Sequence, residues 1–107
     1  MVAVDQFDVY LIQLDPVIGS EIQKTRPCII VSPNEMNLYL NTIIIAPMTS
    51  TLKKYPSRVT VHFQNKTGEA ALDQIRTVDK KRLVKRLGKL KKTESQNILN
   101  ILQEMFA

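Results

Sequence analysis

Three short stretches of this 107-residue chain carry side chains able to handle an anionic ester. In Gly19-Ser20-Glu21-Ile22-Gln23-Lys24-Thr25-Arg26-Pro27, a carboxylate, an ammonium and a guanidinium follow one another within one loop and strand entry. Gly19 and Ser20 let the backbone turn tightly and approach a ligand closely. Pro27 has no N–H and biases Arg26 towards an extended conformation, so Arg26 sits where the loop becomes strand. The second stretch is Thr49-Ser50-Thr51, hydroxyls just beyond an apolar run, and the third is the pair Asp73-Gln74. Each has an ordinary structural reading when taken alone: a charged hairpin loop, turn hydroxyls, and a carboxylate paired with Arg76 or a backbone N–H. A site requires a fold that gathers them at one rim.

Composition narrows what that site can be. The length suits one domain with a modest core, spanning residues 1–107, and 44% hydrophobic residues indicate a folded globular protein. No apolar run approaches the length of a membrane span and no signal-peptide pattern opens the chain. With Cys28 its lone cysteine it forms no internal disulfide, and a cytoplasmic location is expected. One Cys and one His exclude a Cys/His metal cluster, so neither metal nor cofactor is expected. The net charge of +5 is unevenly spread. Arg76, Lys80, Lys81, Arg82, Lys85, Arg86, Lys89, Lys91 and Lys92 share one segment, opposed there only by Asp79. Such a segment attracts polyanions, although a solvated basic face that aids solubility has the same composition.

The scaffold reads as mostly strand. Residues 8–14 are apolar and β-branched and predict a first strand, after which Asp15-Pro16 turns the chain into the glycine loop. Residues 26–31 predict a second strand, apolar on both faces and therefore central. Ser32-Pro33-Asn34-Glu35 predicts a short helix with Ser32 as cap, Pro33 in the first helical position and Glu35 completing a capping box. Residues 41–46 form a third, buried strand ended by Pro47, followed by the basic loop of Lys53, Lys54, Tyr55 and Pro56. In the fourth strand Val59, Val61 and Phe63 face one way, and Arg58, Thr60 and His62 face solvent. Asn65-Lys66-Thr67-Gly68 predicts a hairpin turn with Gly68 supplying a positive φ, and residues 69–75 return as a fifth strand. A helical piece over residues 80–85 and a brief strand over 86–90 precede a final helix, with Thr93 and Gln96 as its capping box. Ile98, Ile101, Leu102 and Met105, joined by Leu99 and Phe106, make a stripe for the sheet or for a partner subunit.

Short strands, tight turns and one terminal helix predict a mainly β protein built on a small, strongly bent antiparallel sheet or barrel. Within that order the motifs Asp8-Val9-Tyr10, Asp15-Pro16, Gly19-Ser20-Glu21, Arg26-Pro27, Ala46-Pro47-Met48-Thr49-Ser50, Tyr55-Pro56 and Leu72-Asp73-Gln74-Ile75-Arg76-Thr77-Val78-Asp79 resemble those of the MazF/PemK family of toxin endoribonucleases. The likeness is near-continuous from Asp8 to about Leu90; any one motif is weak, and the ordered set is specific. Phe7 stands where the family usually has Gly, which is expected to change the local backbone geometry. Ser20 stands where some members carry His, so a His-dependent mechanism is not imported.

The resemblance implies an SH3-like barrel of the CcdB/MazF kind with a C-terminal helix, assembled as a homodimer. It implies a sequence-specific, metal-independent toxin that cuts single-stranded RNA, mRNA above all, and inhibits growth until a cognate antitoxin with an acidic disordered tail neutralises it. The family's essential Arg falls on Arg26, its essential Thr on Thr49, the loop Glu of many members on Glu21, and the strand Asp of some on Asp73. The expected RNA contacts are Ser20, Lys24, Ser50, Lys54, Tyr55, Arg58, Gln74 and Arg76. With a single His and no metal cluster, the remaining nucleophile is the RNA's own 2′-OH, leaving 2′,3′-cyclic phosphate and 5′-OH ends. The planar fork of Arg26 suits the phosphorane, Thr49 can donate to the same oxygens, and the proton acceptor is Glu21 or Asp73. Two other readings compete: a non-catalytic toxin of this fold acting on a protein target such as DNA gyrase, and a barrel that binds RNA without cutting it.

Overall fold

The computed structural model describes residues 3–15, 19–21 and 24–107; Pro16 of the expected Asp15-Pro16 turn, and Ile22 and Gln23 of the glycine loop, lie outside the described residues. In chain order the elements are β1 (Asp8–Gln13), β2 (Thr25–Ile30), α1 (Asn34–Tyr39), β3 (Thr42–Thr49), β4 (Arg58–Phe63), β5 (Lys66–Ala71), β6 (Arg76–Asp79), β7 (Leu83–Lys89) and α2 (Lys92–Met105). The strands make a strongly curled antiparallel half-barrel in the order β4-β5-β3-β2-β1-β7, with β6 also paired to β3. Among the described residues, no helix is long and apolar enough to cross a membrane.

β3 is the hub of this sheet. One edge pairs with β2 through Cys28↔Pro47, Ile29↔Ala46 and Ile30↔Ile45. Its other edge pairs first with β6, from Thr42↔Asp79 to Ile45↔Arg76, and then with β5 through Met48↔Ala70 and Thr49↔Glu69. The run of isoleucines favours extended backbone and is buried by this arrangement. Because side chains alternate across a strand, β1, β2 and β3 bury both faces. Val9, Ile29 and Ala46 join Val59, Val61, Leu72 and Ile98 in one cluster under α2. Tyr10, Cys28, Ile30, Ile43 and Ile45 join Ile12, Leu14 and Val78 in the other. The central placement expected for the second strand therefore holds. The α2 stripe also packs inward, with Ile98 buried and Ile101 and Leu102 against the first cluster, whereas Phe106 is 71% exposed.

Several local expectations are corrected. The hairpin turn is Gln64-Asn65, both left-handed at φ 50 and 63, which is the two-residue form that matches strand twist. Gly68 lies inside β5, where a Cβ would stand 2.7 Å from the Thr49 carbonyl oxygen, so its role is close approach of two backbones. β5 ends at Ala71, and a 3-10 turn over Leu72–Gln74 precedes the separate β6. The helical piece is a 3-10 turn over Lys80–Arg82, with the Asp79 carboxylate accepting from Lys81 N–H at 2.8 Å, so β7 starts at Leu83. Neither capping box forms. Ser32 is buried and hydrogen-bonds Asn37 and the Ile44 N–H, which leaves Pro33 at the start of α1. Lys91 occupies the start of α2, Gln96 bonds Asn100 on its own helix, and the nearby Glu94 instead accepts from the His62 N–H at 2.8 Å. Phe7 stands in the left-handed region. It adopts φ 70, the conformation a glycine would favour, and its N–H and carbonyl tie Ile30 to Leu90.

The Gly68 contact is testable. Gly68→Ala is expected to lose about 1–3 kcal/mol in urea unfolding, the usual scale of overpacking, although alanine is intrinsically better than glycine in a strand. Unchanged or increased stability would show that β5 and β3 have room to part.

Candidate active site

Continuing the β2–β3 register two residues beyond Cys28↔Pro47 sets Arg26 opposite Thr49. Both line one cleft of about 230 Å³ together with Pro27, Met48, Ser50, Phe63, Gln64, Lys66, Thr67 and Gly68. Two stretches separated by more than twenty residues in sequence thus meet because two short strands pair. The cleft offers a guanidinium, two hydroxyls of the Thr49-Ser50 pair and the Lys66 ammonium, an anion-binding set. Thr49 Oγ1 also accepts from the Thr51 N–H at 3.2 Å, which orients the hydroxyl and shapes the start of the next loop.

A second, smaller cleft of about 190 Å³ brings Glu21 to Asp73, Gln74 and Arg76, with Pro47 and Ile75 as its apolar wall. Pro47 borders this cleft and Met48 and Thr49 the first, so the end of β3 serves both. The three chemistry-bearing stretches of the sequence therefore converge around one strand end. Arg76 also donates to the Leu14 carbonyl at 3.3 Å, holding the end of β1 beside it.

Asp73 is deeply engaged. The Arg58 fork grips it through Nε–Oδ1 at 2.6 Å and Nη2–Oδ2 at 3.2 Å, and Ser57 Oγ donates to the same carboxylate at 3.1 Å. The Arg58 hydrogen bond holds the Asp73 carboxyl below the usual carboxylate range. Its partner is thus Arg58, from the facing strand, and not the sequence neighbour Arg76. Arg58, placed outward with Thr60 and His62 by strand alternation, has a side chain only 7% exposed. Its guanidinium lies 5.3 Å from the centroid of the Tyr55 ring and reaches Glu69 at 3.5 Å.

Glu69 is the group that motif reading passed over. It is 1% exposed, faces Thr49 in the ladder, and accepts the N–H groups of Lys53 and Lys54 at 3.0 and 2.9 Å. Burial pushes its carboxyl up, yet the two backbone N–H groups and Arg58 together bring it below its ordinary value. One signal was available: a lone acid within Gly68-Glu69-Ala70-Ala71, a strand of otherwise small residues. Of the remaining expected contacts, Ser20, Lys24 and Lys54 are exposed, Tyr55 is half-exposed and Gln74 half-buried. The Lys24 N–H donates to Asp15 Oδ1 at 2.9 Å, which anchors the returning end of the first loop. His62 pairs with Thr67 on the outer face of the hairpin. The Cys28 thiol, buried and pushed up to about 12, is no nucleophile.

The curled antiparallel half-barrel closed by a C-terminal helix is the fold of the MazF toxins. The solved structures bear this out at the level of fold. A MazF from Deinococcus radiodurans superposes with a TM-score of 0.87 at 22% identity, over 99% of this chain and 98% of that one. An endoribonuclease from a mycobacterial species gives 0.81 at 24% identity, over 99% and 93%. The mycobacterial endoribonuclease in complex with its cognate antitoxin gives 0.83 at 24% identity, over 97% and 95%. Residues 5–106 match the model of the PemK-like, MazF-like toxins of type II toxin–antitoxin systems, and the chain belongs to that family.

The lowered carboxyls give a pH prediction with a fixed sign. Glu69 and Asp73 contribute stability that is present above the unfolded carboxylate pKa, about 4, and that is lost as pH falls through their depressed folded values. Thermal unfolding followed from neutral pH downward should therefore fall more steeply for the wild type than for Glu69→Gln or Asp73→Asn. Parallel curves would mean the two carboxyls titrate alike in folded and unfolded chains.

Proposed function

We propose that this chain is a metal-independent endoribonuclease toxin that cuts single-stranded RNA, mRNA above all, within a short sequence. The observation that carries the reading is the meeting of Arg26 and Thr49 in one small cleft at the end of paired strands. In the proposed reaction the ribose 2′-OH attacks the adjacent phosphorus, its proton leaves to a carboxylate, and the P–O5′ bond breaks as O5′ takes up a proton from solvent. The products are a 2′,3′-cyclic phosphate and a 5′-OH. Arg26 holds two phosphoryl oxygens with its planar fork and Thr49 donates a further hydrogen bond to the phosphorane. Glu21 is favoured over Asp73 as proton acceptor, because the Asp73 carboxylate is already gripped on both oxygens by Arg58. Ser50 in the first cleft and Gln74 and Arg76 in the second serve as RNA contacts, together with Ser20, Lys24, Lys54, Tyr55 and Arg58.

Two assemblies accompany this reading. Leu38, Tyr39, Leu40, Val84 and Phe106 are exposed apolar residues, and a homodimer that covers some of them accompanies this reading. A cognate antitoxin with an acidic tail is the second, matched by the basic segment from Arg76 to Lys92 and by Lys53-Lys54. Toxin–antitoxin affinity should weaken as salt rises, and indifference to salt would remove the acidic-tail model.

Incubation with RNA in EDTA separates the nuclease from a non-cleaving RNA binder and from a toxin of a protein target such as gyrase. Replacing the ribose 5′ to the cut by deoxyribose should abolish cleavage while leaving phosphate-dominated binding largely intact. Arg26→Ala should lose about 3–4 kcal/mol of transition-state stabilisation, the scale of one preorganised donor, with Arg26→Lys recovering only part and Thr49→Ala milder. Glu21→Gln should cost more activity than Asp73→Asn. Efficient cutting of the deoxy-substituted RNA would sink the scheme in favour of an activated water.

A further inference from the structure

The segment joining β3 to β4, residues 50–57, starts beside Thr49 and ends at Arg58, and its backbone is tied down at several points. Both oxygens of Glu69 are given to it, one to the Lys53 N–H and one to the Lys54 N–H. Lys54 takes φ 56 to make that double contact. Beyond it, the Arg58 N–H donates to the Tyr55 carbonyl at 2.9 Å, and the Leu72 N–H to the Ser57 carbonyl at 3.1 Å. Ser57 Oγ and the Arg58 fork close on Asp73.

A buried carboxylate is a costly way to hold a surface loop unless its exact position matters. Glu69 stands directly across the ladder from Thr49, so the same residue that fixes the loop is registered against the strand carrying that threonine. The loop presents one aromatic ring. Tyr55 is 49% exposed, and the Arg58 guanidinium lies 5.3 Å from its centroid. Arg58 cannot follow a moving ring, because Asp73 and Glu69 hold it from two sides. The result is a half-exposed aromatic plate tied through Arg58 to Asp73, which lines the second cleft. Nucleobases stack on such plates, and a plate held in place beforehand loses little entropy when one does.

We propose that Glu69 and Arg58 are positioning residues that hold residues 52–57 as a preformed base-reading loop, with Tyr55 as the platform for one nucleobase beside the cut. This rests on the endoribonuclease reading above. It gives Asp73 a part in reading the substrate, through Arg58, and none in moving the proton.

The test is cleavage, in EDTA, of an RNA pool with a randomised segment, with the cut ends sequenced, beside kcat and KM on the preferred oligonucleotide. For Glu69→Gln the base preference next to the cut should broaden and KM rise about tenfold, within the range for losing one stacked base, while kcat falls far less. Tyr55→Ala should lose preference at the same position, and Tyr55→Phe should restore it. The double variant Glu69→Gln/Tyr55→Ala should be no broader than Tyr55→Ala alone, since both remove one platform. Arg58→Lys, which keeps the charge and gives up the fork, should act like Glu69→Gln, and it stands in if Glu69→Gln unfolds. A merely structural role lowers the melting temperature and leaves the cut pattern as it was. That outcome, or additive loss in the double variant, overturns the proposal while the nuclease reading stands. A wild-type protein that leaves the pool intact overturns the nuclease reading itself, and the loop proposal with it.

Discussion

One hydrogen-bonded strand holds this molecule to its purpose. β3 pairs with β2 along one edge and changes partner from β6 to β5 along the other, and the change falls at residues 45–48, just before Thr49. A strand shared among three neighbours must bend, and a bent strand cannot bury one flat face only. The sheet curls around it, one cluster closed by α2 and the other by the inward faces of β1, β2 and β6. Gly68 permits the change of partner, because a side chain there would collide with the Thr49 carbonyl. The same geometry that closes the half-barrel therefore places Thr49 across from Arg26 on one side and from Glu69 on the other.

The protein is basic, yet its buried ionisable groups are chiefly acids, and each is used to fasten a segment that lacks ladder partners. Glu69 holds the loop after β3 through two N–H groups. Glu94, in the first turn of α2, accepts from His62 on β4 and so docks the terminal helix on the sheet. Asp8 accepts from the Asp5 N–H and pairs with Arg86 at 3.1 Å, binding the chain before β1 to β7. A backbone N–H left unpaired in a small protein is expensive, and a carboxylate can satisfy two at once. Most of the described lysines are left at the surface, whereas the Arg58 side chain is only 7% exposed among those acids.

The polar side chains around the end of β3 fall into two groups. Arg26, Thr49 and Ser50 line an open cleft near Lys66, and Glu21 borders the neighbouring one. Arg58, Asp73 and Glu69 form a closed set whose members satisfy one another. An acid held by a bidentate fork has a depressed proton affinity, which suits a strut better than a base. The lone thiol is buried and protonated, so it takes no part as a nucleophile.

What the chain declares by itself is what depends on near neighbours. β-branched runs marked β1 to β4, although β3 continues through Pro47, expected to end it, as far as Thr49, because Pro47 still pairs with Cys28 of β2. The apolar spacing of Ile98, Ile101 and Leu102 marked α2, and ordered motifs pointed to Arg26, Thr49, Glu21 and Asp73. The predicted alternation in β4 held for Val59 and Val61, because burial of a strand face is a period-two property. It failed for Arg58, whose outward position is roofed by Tyr55 and by acids fifteen and eleven residues away in sequence. Caps failed for a related reason. Ser32 found a buried partner on β3 in place of the local N–H groups a capping box would use, and α2 begins at Lys92, which puts Thr93 inside the helix and not at its cap. Gly68 resembled a turn glycine until β5 was laid against β3, when the turn proved to be Gln64-Asn65. Local conformation is written in residue type and period. Which polar side chain meets which backbone group is decided only once curling the sheet has made distant segments compete for the same hydrogen bonds.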